Sequence, residues 1–260
     1  MWWVGSKGGT SVADVYVGTR RVLYVPAGTG QVGSAQAEPP SWSVDGFEDA
    51  LRVLDGQVLA RSESDGTKPI KGWRVWLSAG IARPFLLQVP ERASRGEIER
   101  IAQDLVEERT GIREECELWV ESGRGASVVV VVVVKSHLQE LVGRFAKGTG
   151  RRLRSLSPWW GEALKAALKR GAGVRLVAIH DCDSLTWLSG QASTFDGVQT
   201  LSPVSDRATA DAALARTRLA LGAEESEVAG FRLGACATSL QARVAPISEL
   251  GLAPFVECLP

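Results

Sequence analysis

Histidine is almost missing from this chain: His137 and His180 are the only two in 260 residues. Acid–base chemistry near neutral pH would have to rest on carboxylates or lysines that the sequence does not single out. No Ser-His-Asp or Cys-His arrangement can be nominated, and neither G-x-S-x-G nor G-x-x-x-x-G-K-[ST] occurs. The expectation is a protein that is not an enzyme. Cysteine is sparse too: Cys116, Cys182, Cys236 and Cys258 are scattered without C-x-x-C spacing. No signal-like apolar segment precedes the first polar residues, so a reduced, cytoplasmic protein is expected. Neither sign of charge predominates, with 30 Lys and Arg against 30 Asp and Glu and an isoelectric point near 6.8. Nucleic acid is therefore not an expected partner.

What is present begins with Ser127 to Lys135, where seven valines stand in a row. A bilayer-spanning helix takes about 20 apolar residues, so this is no membrane anchor. Valine is stiff at χ1 and suits a pleated strand, and a run without alternation must be buried on both faces. An interior strand of a sizeable α/β core follows. Around it, Val12 to Pro26 reads as a hairpin turning at Gly18-Thr19, Ala27 to Ser43 as a loop, and Ser43 to about Ala60 as a helix. Strands are expected from Trp73 and over Ile81 to Pro90, then a helix ending at Gly111, two strands over Cys116 to Val120 and the valines, and a helix over Ser136 to Lys147. A strand near Leu153 to Leu156 leads to a helix with Ser157 as N-cap and Pro158 in its first turn. Three antiparallel strands from Val174 to Pro203, a helix over Asp206 to Leu221 and a strand over Gly230 to Cys236 close the pattern. Two modules of strands followed by a helix thus echo each other, without any tandem repeat in sequence.

Gly28 to Gly33, GTGQVG, fits the dinucleotide pattern G-x-G-x-x-G, but Pro39 and Pro40 leave no room for the helix that would hold a pyrophosphate. His180-Asp181-Cys182-Asp183 holds four metal-type side chains; in a strand, neighbours point to opposite faces, so an acidic turn between two strands is the better reading. Arg151, Arg152 and Arg154 form the densest basic stretch, read as a solvated edge with an acidic or phosphate partner as the alternative. Trp159-Trp160 reads as at least one ring in the core, against an exposed aromatic patch. Trp2 and Trp3, in the Gly-rich lead-in over 1–11, receive no role.

The stretch WRVWLSAGIARPFLLQVP, the helix ending at Gly111, CELWV, the valine strand and HLQELVGRF resemble in order the actin-like assembly proteins of type IV pili (PilM-type) and the cytoplasmic domain of type II secretion GspL. LRSLSPWWGEAL and RLVAIHDCDSLTWLSG are similar to that family's passage into its second lobe. The resemblance covers roughly Val12 to Val244. It implies a degenerate actin-like (ribonuclease H-like) α/β fold of two lobes, over 12–157 and 158–260, with a strand-helix-strand-strand subdomain inserted at about 81–135. It further implies a non-catalytic scaffold at the inner face of the inner membrane, binding the cytoplasmic segment of an inner-membrane pilus or secretion assembly protein, with self-association as a second candidate interaction. Nucleotide-binding members carry Gly-rich acidic turns in the first hairpin of each lobe. Here VGTRRV carries no acid and HDCDSL no glycine, and little chain follows Cys236 to form an adenine pocket. No cofactor is expected. In the alternative, an actin-like ATPase, Asp181 and Asp183 are the metal-side candidates for Mg-ATP.

Overall fold

A computed structural model describes residues 12–19, 21–25, 33–36, 48–57, 70–90, 92–121, 128–161, 175–181, 184–191, 194–202, 207–223, 227–233 and 242–244. The first described elements are β1 (Val12–Val17) and β2 (Arg21–Val25), an antiparallel hairpin, to which β3 (Gly33–Gln36) adds antiparallel. Helix α1 over 48–57 follows, with Ala50, Leu51 and Leu54 buried at helical spacing. β4 (Gly72–Leu77) and β8 (Arg152–Pro158) extend the sheet in parallel, for the order β3-β2-β1-β4-β8.

Between β4 and β8 the chain makes a second, three-stranded sheet from β5 (Ala82–Gln88), β6 (Cys116–Glu121) and β7 (Val128–Lys135), in the order β5-β7-β6 and wholly antiparallel. The valines are its central strand. Val129, Val131 and Val133 pack with Phe85, Leu87, Ile98 and Val106, while Val132 and Val134 join the core of the first sheet. Both faces are buried, which is why the run needs no alternation. Helix α2 (Arg95–Thr110) covers one face. Its ends are written locally: Ser94 and Glu97 form a reciprocal capping box, and Gly111 closes it at φ 71°, a left-handed conformation that glycine adopts without a Cβ penalty. Helix α3 (Ser136–Gly148) returns to the first sheet through Leu138, Leu141, Val142, Phe145 and Ala146, the i, i+3, i+4, i+7, i+8 stripe of a core-facing helix.

The second lobe repeats the order. β9 (Leu176–His180), β10 (Leu185–Gln191) and β11 (Thr194–Leu201) are antiparallel, α4 (Arg207–Leu221) follows, and β12 (Val228–Leu233) lies parallel to β9. β13 (Ala242–Val244) completes the order β11-β10-β9-β12-β13 but runs antiparallel to β12, unlike β8 beside β4. Val177, Ile179 and Leu188 share a buried cluster with the first sheet, so the lobes meet through a common apolar core.

Several local expectations change. Ser157 is not an N-cap: β8 runs through Pro158, Ser157 is buried within it, and helical geometry begins only at Trp160. Parallel pairing with β4 overrides the local Ser-Pro helix signal, and the expected lobe boundary at 157/158 falls inside this strand. Trp159 and Trp160 are both buried, with the Trp160 indole donating to the Ala82 carbonyl, which removes the exposed aromatic patch. Gly33 opens a strand rather than a helix, inside the stretch read as a loop. Arg151 leaves the solvated edge, pairing with Asp55 and stacking 4.8 Å over the Trp73 ring, whereas Arg152 and Arg154 remain exposed.

Candidate functional site

The chemistry-bearing residues of the two hairpins meet at the turn between β4 and β5. That turn, 78–81, is closed by the Ile81 and Ala82 N–H groups donating to the Ser78 carbonyl at 3.1 and 2.8 Å. The Ser78 N–H donates to the Val17 carbonyl at 3.0 Å, tying the turn to the end of β1. Asp181 reaches it from the other lobe. Its Oδ2 accepts the Ala79 N–H at 2.8 Å and its Oδ1 accepts the Ser184 hydroxyl. Its N–H donates to the Ser184 carbonyl at 3.0 Å, and its carbonyl accepts the Tyr16 hydroxyl at 2.5 Å. Asp181 is fully buried. Both carboxylate oxygens are thus engaged inside the protein, the condition under which a buried carboxylate is tolerated.

Gly80 fills the remaining space. A Cβ there would lie 2.4 Å from Ser202 Oγ and 2.7 Å from Thr19 Cγ2, so the turn sits between the first hairpin and the strand end of the second lobe. Only glycine lets the backbone come this close.

Of the sequence candidates, Asp181 is therefore placed at the seam between lobes; Asp183 and Cys182 lie outside the described residues. His180 is buried at the end of β9, and His137 stands in the first turn of α3. Among the described residues no group of three or more His, Cys, Asp or Glu side chains could hold a metal ion. Sequence reasoning missed Tyr16, Thr19, Ala79 and Gly80. Their one local signal is the Ser-Ala-Gly step between two strands, which marks a tight turn without saying what it touches.

A second concave region, of about 200 Å³, lies between α1 and α3, with Glu48, Arg52, Asp55 and Arg144 at its rim. The Trp73 indole donates to Thr149 Oγ1 at 3.0 Å and its ring lies 5.4 Å from that of Phe145, while Arg151 stacks over the ring and pairs with Asp55. This chain of contacts docks α1 on the sheet. The inserted sheet offers a third feature, the open side of β6, whose residues Cys116 to Val120 are all half-buried. Burial pushes the Cys116 thiol up, and the carboxylates of Glu114 and Glu115 push it further against a lowering hydrogen bond from Gln103.

No helix among the described residues is long and apolar enough to cross a membrane. No family model matches the sequence, and no curated protein matches it. Solved structures do. A protein of actin-like ATPase fold and unknown function from Bacteroides thetaiotaomicron superposes at TM-score 0.52 with 8% identity, over 83% of this chain and 79% of that one. A chain of the PilM–PilN type IV pilus biogenesis complex superposes at 0.53 with 14% identity, over 74% of this chain and 61% of that one. The cytoplasmic domain of EpsL, an inner-membrane component of the Vibrio cholerae type II secretion system, gives a looser overlay at 0.42 with 16% identity, over 74% and 71%. This chain has the two-lobed actin-like fold with an inserted strand-helix-strand-strand subdomain, and in fold it is similar to a chain of the pilus biogenesis complex.

Proposed function

We propose that this protein is a non-catalytic scaffold of a type IV pilus or type II secretion-like assembly machine, held at the cytoplasmic face of the inner membrane by the cytoplasmic segment of a membrane partner. The observation that carries the non-catalytic half is the seam. An actin-like ATPase needs an open cleft between its two hairpins, with backbone N–H groups and a free carboxylate facing phosphate and metal. Here the chain's own turn at 78–81 stands between Thr19 and Asp181, and the Asp181 carboxylate is spent on Ala79 and Ser184. The partner half is supported by the likeness in fold to a chain of the pilus complex.

A melt of the purified protein with and without about 1 mM Mg-ATP tests the first half. A ligand at about 100 times its Kd stabilises a fold by about 2.7 kcal/mol, a rise of about 5–10 °C for a chain of this size. No rise is expected; a rise of that order would restore the ATPase reading. Co-purification from native membranes tests the second half, and recovery of no pilus or secretion component would remove it.

A further inference from the structure

Six strands lie at sheet edges among the described residues: β3 and β8, β11 and β13, β5 and β6. Unpaired edge N–H and C=O groups are a template for another chain, and proteins blunt them with short strands, bulges, proline, charge or cover. Five of the six are short, bulged, interrupted by proline or covered by another strand. β3 has four residues and β13 three. The register of β8 shifts beside Trp73/Arg74, and its Arg152 and Arg154 are exposed. β5 contains Pro84, which cannot donate a ladder hydrogen bond, and β5 and β11 lie against each other.

β6 differs. It has six residues in unbroken register with β7, from Cys116 opposite Lys135 to Glu121 opposite Val130, with no glycine, proline or bulge. Among the described residues nothing pairs with its outer side. Leu118 and Val120 pack toward the α2 cluster and Trp119 toward the first-sheet core, so an added strand with alternating side chains would continue both layers. The charge beside this edge is acidic. Glu114 and Glu115 are exposed just before the strand and Glu117 lies half-buried in it. The Glu115 and Glu117 carboxylates make no ion pair among the described residues, and Arg113 is taken by Glu107 at 2.6 Å.

We propose that the outer edge of β6 receives an extended, Lys/Arg-bearing segment as a fourth strand of the inserted sheet, the occupant being the juxtamembrane cytoplasmic segment of the inner-membrane partner. The identity of that occupant rests on the scaffold reading above. Cytoplasmic segments beside membrane spans carry an excess of Lys and Arg. Strand addition supplies affinity through the backbone, and the glutamates choose the sign of the guest. A second copy would bring the same set of acidic residues to this edge, whereas a Lys/Arg-bearing segment brings the opposite charge.

The test uses the full chain and a synthetic peptide of alternating lysine and valine, about ten residues long to outreach a strand of this size. Two versions are N-methylated, each at one set of alternate residues; a third has glutamate for lysine. An edge strand pairs through alternate residues only. One methylated version should therefore bind at least about tenfold more weakly than the parent and the other should not, and the glutamate peptide should lose at least as much. The Glu115→Lys, Glu117→Lys double variant, with an unchanged melting temperature, should prefer the glutamate peptide. Equal binding of both methylated versions, undiminished lysine-peptide binding by the double variant, or no binding of the parent peptide each overturns the assignment. If membranes yield an assembly protein that the double variant also recovers, the β6 site falls and the scaffold reading stands. Register-sensitive peptide binding without any membrane partner supports the basic-strand site and removes its named occupant.

Discussion

At the scale of single residues, Asp14 shows two opposing effects with one winner. The Trp76 indole donates to its Oδ1 at 2.9 Å, and Arg74 Nε lies 2.7 Å away as an ion pair without a well-aligned hydrogen bond. Burial nevertheless outweighs both and raises the Asp14 carboxyl above its ordinary 3.8. A group whose folded-state value is raised binds its proton more tightly when folded. Its favourable contribution is complete below 3.8 and lost as pH rises through the raised value. The melting temperature of wild type relative to Asp14→Asn should therefore fall as pH climbs out of the acid range, and a difference that is flat or rising there would contradict this balance. Asp181 was legible in the sequence as an acid in a hairpin turn. Its use was not, because the N–H it accepts belongs to Ala79, 102 positions away.

At the scale of elements, the valine strand is the clearest case of composition dictating structure. Val131 is fully buried and packs under α2, while Val130 is only half-buried on the other side. Val131→Thr keeps the shape and places a hydroxyl in an apolar layer, costing about 1–3 kcal/mol, whereas Val130→Thr should cost well under half as much. Urea midpoints of the two variants measure this, and equal losses would mean that the strand is not sandwiched as described. The stop at Gly111 was readable because caps are local chemistry; the capping box at Ser94 is equally local but formed no part of the sequence reading. Ser157 misled for the same reason: Ser-Pro is a local helix-start signal, and a parallel pairing with a strand about 80 residues earlier outweighed it. β3 and β13 were invisible, since strands of four and three residues carry no periodicity and exist through their partners' backbones.

At the scale of the whole molecule, the two lobes are joined by apolar contact and by the hydrogen bonds around 78–81. Tyr16→Phe would leave the buried Asp181 carbonyl without the Tyr16 hydroxyl, a loss of about 1–3 kcal/mol. Gly80→Val should destabilise by a similar amount through overpacking, and Ser202→Gly in the same chain should recover part of it, because Ser202 Oγ lies 2.4 Å from where the new Cβ would stand. Thermal melts of the two single variants and the double variant give the coupling. Strict additivity would mean that the turn is not held between the lobes.

The sequence by itself determined the α/β class, the two modules of strands followed by a helix, the doubly buried valine strand, the stop of α2 at Gly111 and the span of α3. Each rests on interactions within a few residues or on the burial demanded by an unbroken apolar run. Tertiary structure alone decided that Asp181 faces Ala79 rather than an open cleft, that Trp159 and Trp160 both lie in the core, and that β6 is the one sheet edge among the described strands left unbroken in register and uncovered. Those outcomes depend on which distant backbones come together, and hydrogen-bonding capacity at a given residue does not say where its partner will arrive from.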